Sequence, residues 1–390
     1  MSTASSVRES RSGKKKMREL RVSPDFDYKL ITCVLLLAGF GVVVLYSSSY
    51  YSKGMSMMIK QAIFTLIGLI AMMMIAMFLD YRRLKTVAIP MYLLSLAVTL
   101  LVVSPMGINL NGAKRWLNLG FTTFQPSEFV KLAVIVALAG ILSTYWKKLN
   151  RRNMNIGLFL FTMVPVALLF LITDHLSAAI IVFVICYGMI YIAHPQDRKL
   201  LVIALVGILA VAAMIYWIVY VKEYQIGESF RYTRIRIWFD PFNEEYPNSY
   251  QVREGLYGIA TGGLFGRGLG NSILKQGFLP EPYNDMIFAV LCEEMGLLGA
   301  VMVLFLFFYM VVRIFRIGMQ APDKFGFFIC MGVMLHIASQ VILNILVVTN
   351  TIMNTGITLC FFSAGGSSLI FIYLEIGLVL SVAKRIQNPR

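Results

Sequence analysis

Ten apolar runs divide the chain, at about 28–49, 57–79, 86–105, 128–146, 155–173, 176–194, 199–221, 285–312, 325–349 and 365–383. Each is close to the roughly 20 residues that a helix needs to cross a bilayer. None alternates polar with apolar residues, as the strands of a membrane barrel do. Helices then remain the way to satisfy every backbone group inside hydrocarbon. The pattern predicts an all-α integral membrane protein with about ten transmembrane helices. The eighth run is long and offers two places to kink, Gly296 and Gly299. The first run is too long for a signal-peptide core and lacks a small-residue cleavage pattern, so it is expected to stay.

The connections between runs are unequal. Segments 106–127, 222–284 and 350–364 are the ones rich in polar and aromatic residues. The segment 222–284, between the seventh and eighth runs, shows no core of its own and reads as a long extracytoplasmic loop on the membrane surface, with short interfacial helices. Residues 1–27 read as a disordered basic tail, 28–383 as the membrane domain and 384–390 as a second short tail.

Composition agrees with the pattern. The 390 residues are 58% hydrophobic and 14% charged, with a mean hydropathy of +0.74, whereas a soluble domain is roughly one quarter charged. Charge then sets the orientation. If the runs alternate direction, segments 1–27, 80–85, 147–153, 194–199, 313–324 and 384–390 share one side. They hold 22 of the 35 Lys and Arg residues and 7 of the 20 Asp and Glu, so the whole formal charge of +15 lies there. Such a bias places that side, and both termini, in the cytoplasm. It accounts for the basic pI without nucleic acid. The five cysteines (33, 186, 292, 330 and 360) form no C-x-x-C pair, and the three histidines are scattered, so neither a disulfide framework nor a metal set follows.

Ionisable groups near apolar runs are expensive and mark candidate sites. In "NGAKRWLNLGFTTFQPSEFVK", Ser127 is expected to cap a helix, with Glu128 and Lys131 at i, i+3 on its first turns. They are either a locking ion pair or part of a polar cavity. Arg115 beside Trp116 suits an interface anchor or a sugar or diphosphate ligand. Asp174 caps the sixth run or faces the same cavity. Arg231, Arg234 and Arg236 alternate with aromatics in "FRYTRIRIWF", as a strand or an interfacial helix. They meet lipid headgroups or a lipid-linked diphosphate. Glu293 and Glu294 are paired with a basic residue or couple protons or ions. "SAGGSS", with Ser363, Gly365, Gly366 and Ser367, permits close packing or anion contact. Asp285, in "GFLPEPYNDMIFAV", is a helix cap or a catalytic group, and Asn284 could serve as the cap instead.

The pieces "NGAKRWLNLG", "QPSEFVK", "GGLFGRGLGNSILKQGFLPE", "DMIFAVLCEEMGLLGA" and "GGSSLI" occur in the order in which the SEDS family (RodA, FtsW and SpoVE types) carries them. The chain resembles that family over nearly its whole length, with departures at Tyr283, Asn284, Asn354, Cys360 and Ala364. The resemblance implies a peptidoglycan glycosyltransferase of the bacterial cytoplasmic membrane. It implies polymerisation of lipid II on the outer face, undecaprenyl diphosphate-linked glycan as donor, and a class B penicillin-binding protein as partner. The family's essential acid falls on Asp285, after the "LPE" motif that contributes Glu281. Its loop Trp falls on Trp116, its Glu and Lys on Glu128 and Lys131, and its further acid on Asp174. Asp285 is then the expected base. Lys131, Arg115 and the arginines at 231–236, with a divalent cation (Mg or Mn) as a further candidate, are expected to stabilise the leaving diphosphate. A lipid flippase and a non-catalytic scaffold for the transpeptidase are the alternatives.

Overall fold

The computed structural model describes residues 26–387, apart from 111–112, 119, 121–122, 149–151, 195–201, 203–204, 206, 208, 210–211, 222–229, 244 and 247–248. Of the expected tail over 1–27, residues 1–25 lie outside the described residues, as do residues 388–390. Eight helices among the described residues are long and apolar enough to cross a membrane. The helices used below are α1 (Tyr28–Lys53), α2 (Met55–Phe78), α3 (Leu84–Leu100), α4 (Pro126–Tyr145), α5 (Arg152–Leu171), α6 (Leu176–Ala193), α7 (Phe230–Phe239), α8 (Ser249–Gly262), α9 (Ile287–Met319), α10 (Lys324–Val348) and α11 (Gly366–Gln387). The expected fifth run is α5, whose apolar part is the shorter Gly157–Leu171. The expected seventh run, 199–221, falls partly on residues outside the description, and its described part includes the shorter apolar helix Ala212–Val221.

The chain is mostly helical rather than all-α. Residues 107–124 form a three-stranded antiparallel sheet, β1 (Gly107–Leu110), β2 (Ala113–Asn118) and β3 (Thr123–Phe124), in the order β1-β2-β3. Ile108 pairs with Trp116, and the register shifts between Ile108 and Asn109. The unread signal was Asn111–Gly112 between two short runs, a common hairpin dipeptide.

Helix α4 lies at the centre, packed on α3, α6 and α10, and most of its side chains are buried. One end of the bundle gathers ion pairs from segments expected on the cytoplasmic side. Asp27 caps α1 through Leu30 N and also pairs with Arg313 at 2.7 Å. Asp323 caps α10 through Gly326 N and pairs with Arg82 at 3.1 Å. Asp80 pairs with Arg385.

The kink in α9 falls at Gly296 (φ 64°, ψ −166°), and Gly299 stays helical. It breaks two helical hydrogen bonds, and the segment after α8 takes up all four groups thus freed. The amides of Leu297 and Leu298 donate to the carbonyls of Gly263 and Leu264 at 2.9 and 3.2 Å. The amides of Arg267 and Gly268 donate to the carbonyls of Glu293 and Glu294, each at 2.9 Å. Unpaired groups at that depth would each cost several kcal/mol. Glu293 and Glu294 are therefore read as structural. Glu293 accepts from the Ser272 hydroxyl and from the amides of Ile273 and Leu274 at 3.0 and 3.3 Å. Glu294 pairs with Lys275 at 2.9 Å, with both side chains buried.

Segment 222–284 thus includes two helices, and α8 docks on α9. A Cβ at Gly296 would lie 2.5 Å from the Leu264 carbonyl oxygen, in a backbone region nearly reserved for glycine. Gly296→Ala is expected to destabilise the protein by about 2 kcal/mol or more, read as a lower melting midpoint in detergent.

Candidate functional site

At the other end of the bundle the sheet, the starts of α4 and α6, helices α7 and α8, the turn 280–285 and the segment 350–365 enclose a cavity of about 610 Å³. Five separate stretches of the sequence bring candidates to its wall: Arg115 and Trp116, Glu128 and Lys131, Arg234, Glu281 and Asp285, and Gly365. Other candidates stand elsewhere. Asp174 (φ 51°) offers its carbonyl to Arg115 Nη2 at 2.7 Å, and His175 rather than Asp174 occupies the cap position of α6. The Ser363 hydroxyl works within the backbone, donating to Asn284 O at 2.6 Å and accepting from Leu359 N at 2.8 Å. Gly366 packs against the ring of Phe64. Arg236 and Ser367 lie off this wall, and the side chain of Arg231 lies outside the described residues.

The arginine run is a helix, so its period is 3.6 and not 2. Thr233, Arg234, Ile237 and Trp238 share the face that lines the cavity, and Arg236 turns from it. Arg234 Nη1 donates to Asn354 O at 2.8 Å. Burial lowers its pKa, nearby Arg115 adds to this, and Asp285 opposes both.

The expected caps do not form around Asp285. Helix α9 begins at Ile287 with Met286 in the cap position and no side-chain cap. Asp285 therefore precedes the span instead of opening it. The Asn284 amide is spent on Glu281 Oε2 at 2.6 Å. Asp285 is held by its backbone, its carbonyl accepting from Asn344 Nδ2 at 2.9 Å. Its carboxylate receives a long contact from Gln251 Nε2 at 3.4 Å and otherwise faces the cavity. Protein encloses that carboxylate, although part of the residue is open to the cavity. Burial pushes its pKa up to about 6, against the pull of local backbone amides and Arg234.

Helix α4 starts at Pro126, with Gln125 in the cap position, so Ser127 lies two positions too late to cap. Its first turns present the expected pair, Lys131 Nζ to Glu128 Oε2 at 2.8 Å, with Lys131 only 2% exposed. Lys131 also donates to Gln340 Oε1 at 3.3 Å. Across the cavity, burial followed by Arg115 and Lys131 pushes His175 down to about 3, so its ring is neutral at physiological pH.

Sequence reasoning missed His175, Gln251, Gln340 and Asn344. Gln340 and Asn344 carried a readable signal, being amides one helical turn apart inside an apolar run. Three of the departures from the family pattern, Asn284, Asn354 and Ala364, also line the cavity. Among the described residues no group of three or more His, Cys, Asp or Glu side chains could hold a metal ion.

A multi-pass helical membrane protein with a charged chamber at one end of its bundle is the class that fold and cavity define. The chain belongs to the FtsW, RodA and SpoVE family, described as cell cycle protein, whose model matches residues 28–388. It is 33% identical to stage V sporulation protein E of Bacillus subtilis, over 94% of this chain and 99% of the relative. It is 32% identical to the Geobacter sp. (strain M18) protein named "Probable peptidoglycan glycosyltransferase FtsW", over 93% of this chain and 98% of the relative. Its fold is similar to a chain of a peptidoglycan synthase complex that coordinates polymerization and crosslinking (TM-score 0.76, 28% identity, 93% of this chain and 98% of that one). It is also similar to the rod shape determining protein RodA of Thermus thermophilus (TM-score 0.68, 27% identity, 92% and 97%).

Proposed function

We propose that Asp285 is the general base with which this protein, a peptidoglycan glycosyltransferase, activates its acceptor. The observation that carries this reading is one desolvated carboxylate sharing a cavity with three cations, Arg115, Lys131 and Arg234. The substrate is lipid II, used on the outer face of the bacterial cytoplasmic membrane. The GlcNAc 4-hydroxyl of the acceptor gives its proton to Asp285 as its oxygen bonds to C1 of the donor MurNAc. The C1–O bond to the diphosphate breaks, and its electron pair leaves with undecaprenyl diphosphate. Preplaced cations meet the charge gathering on that group. Inversion at C1 needs a single base, and of the wall's carboxylates Glu128 is paired with Lys131 and Glu281 accepts from Asn284, which favours Asp285 for that role.

The outward orientation rests on the charge bias and on the ion pairs at the opposite end of the bundle. The same alternation keeps the reading of about ten spans with both termini inside. The partner is a class B penicillin-binding protein, a choice supported by the similarity to a synthase complex that couples polymerization to crosslinking.

A transporter needs a site reached from both faces near the midplane, and this cavity lies at one end. The purified protein with its transpeptidase partner, given labelled lipid II, is expected to yield glycan polymer. Lipid II crossing liposome membranes without polymer would favour the transporter. Partner binding with neither outcome would favour the scaffold.

A further inference from the structure

A chain of buried polar groups runs from the cavity floor into the bundle and ends at two residues that the reaction above does not use. Lys131 Nζ donates to Gln340 Oε1 at 3.3 Å. The same oxygen lies 2.9 Å from His336 Nε2, and His336 Nδ1 lies 2.7 Å from Glu375 Oε2. His336 and Glu375 are both 0% exposed, one in α10 and the other in α11, within apolar runs. Ionisable groups so placed call for a function.

The protons can be assigned. Gln340 Nε2 donates to the Thr358 carbonyl at 3.1 Å, which fixes the amide with its oxygen toward Lys131 and His336. An amide oxygen only accepts, so His336 Nε2 carries a hydrogen. One further proton is then shared between His336 Nδ1 and Glu375 Oε2, and the pair is neutral on whichever atom it sits. If Nε2 lost its hydrogen, it would invite the Gln340 amide to turn and aim its NH₂ group at the Lys131 ammonium.

We infer that Glu375 and His336 are positioning residues: they fix the Gln340 amide, and through it the Lys131 ammonium at the cavity floor. The inference rests on the proposed role of Lys131 as a cation facing the diphosphate. A residue that acts this way must lose its influence once the intermediary is gone.

The test is a double-mutant cycle between Glu375→Met and Gln340→Ala in the full-length protein. It is read on kcat/KM for lipid II polymerisation and on affinity for a polyprenyl diphosphate, which needs no turnover. Glu375→Met is expected to lower both by about tenfold alone and by less than about twofold in the Gln340→Ala background, a coupling typical of residues in one network. Glu375→Gln, whose amide can donate to His336 Nδ1, is expected to restore both. Should Glu375→Met fail to fold, the double variant His336→Leu/Glu375→Met leaves no orphaned group and is expected to fold. Its expected loss is the same, whereas a merely structural pair would show none. Equal losses in both backgrounds, or full affinity and rate in the folded double variant, would overturn the inference. Wild-type protein that makes no polymer would contradict the proposed function, and the affinity cycle would still decide this one.

Discussion

Asp285→Asn is expected to lower the rate of glycan polymerisation by about a hundredfold to ten-thousandfold, the usual worth of a positioned general base. Lipid II affinity should change little, because Asn keeps the shape and polarity of the side chain and the cations of the wall remain. The melting midpoint should hold or rise, and the sign follows from the pKa. In the folded protein burial raises this carboxyl from 3.8 to about 6. The fold therefore favours the protonated form, a preference present in full below pH 4 or so and lost as pH rises through 6. At neutral pH the ionised group is a burden on the fold, and a permanently neutral Asn removes it. A helix cap would behave in the opposite way, with stability falling and chemistry spared. The cap position of α9 belongs to Met286, so the geometry already speaks against that outcome. Kinetics on the partner-bound enzyme and a melting curve in detergent check the two halves separately.

Lys275→Met is expected to destabilise the protein by about 3–5 kcal/mol, because it strands a buried carboxylate. Lys275 Nζ reaches Glu294 Oε1 at 2.9 Å and Ser47 Oγ at 3.0 Å, and Ser47 also donates to the same carboxylate oxygen at 2.6 Å. Three segments distant in sequence meet there: α1, the segment following α8, and α9. Without the ammonium, only one neutral hydroxyl would serve the charge. The neighbouring backbone bonds across the α9 kink would loosen with it, and Asp285 lies two residues before that helix. The double variant Lys275→Met/Glu294→Met is expected to recover most of the loss, since buried ion pairs replaced as a unit cost little. Thermal melting of the two variants, side by side in detergent, reads the difference.

The spans were legible because a bilayer imposes one length and one composition on each, and α1, α2, α4, α6, α10 and α11 fall close to the apolar runs. The convergence of segments 106–127, 222–284 and 350–364 was legible only as shared sidedness. Which residues face the cavity depends on local geometry. Arg234 and Arg236 look equivalent in a sequence that alternates with aromatics, and only the helical period separates them. Asn284, standing just before an apolar run, carries the usual signature of a cap, yet its amide is taken by Glu281. Glu293 and Glu294 looked like a membrane-embedded pair of functional acids. Their partners are backbone amides and a lysine some 20 residues away, brought close by a loop that no periodicity announces. His336 and Glu375 meet across two helices, and that pairing has no local signature.

The pH dependence of kcat/KM for lipid II, measured from pH 5 to 8 on the partner-bound wild type and on Asp285→Asn, tests the central claim most directly. A base must be ionised to work, so the wild-type rate should rise with pH and level off above an apparent pKa near 6. The small residual rate of Asp285→Asn should lack that limb. A limb that survives in Asp285→Asn, or a variant that polymerises lipid II as fast as wild type, would contradict the assignment of Asp285 as the base.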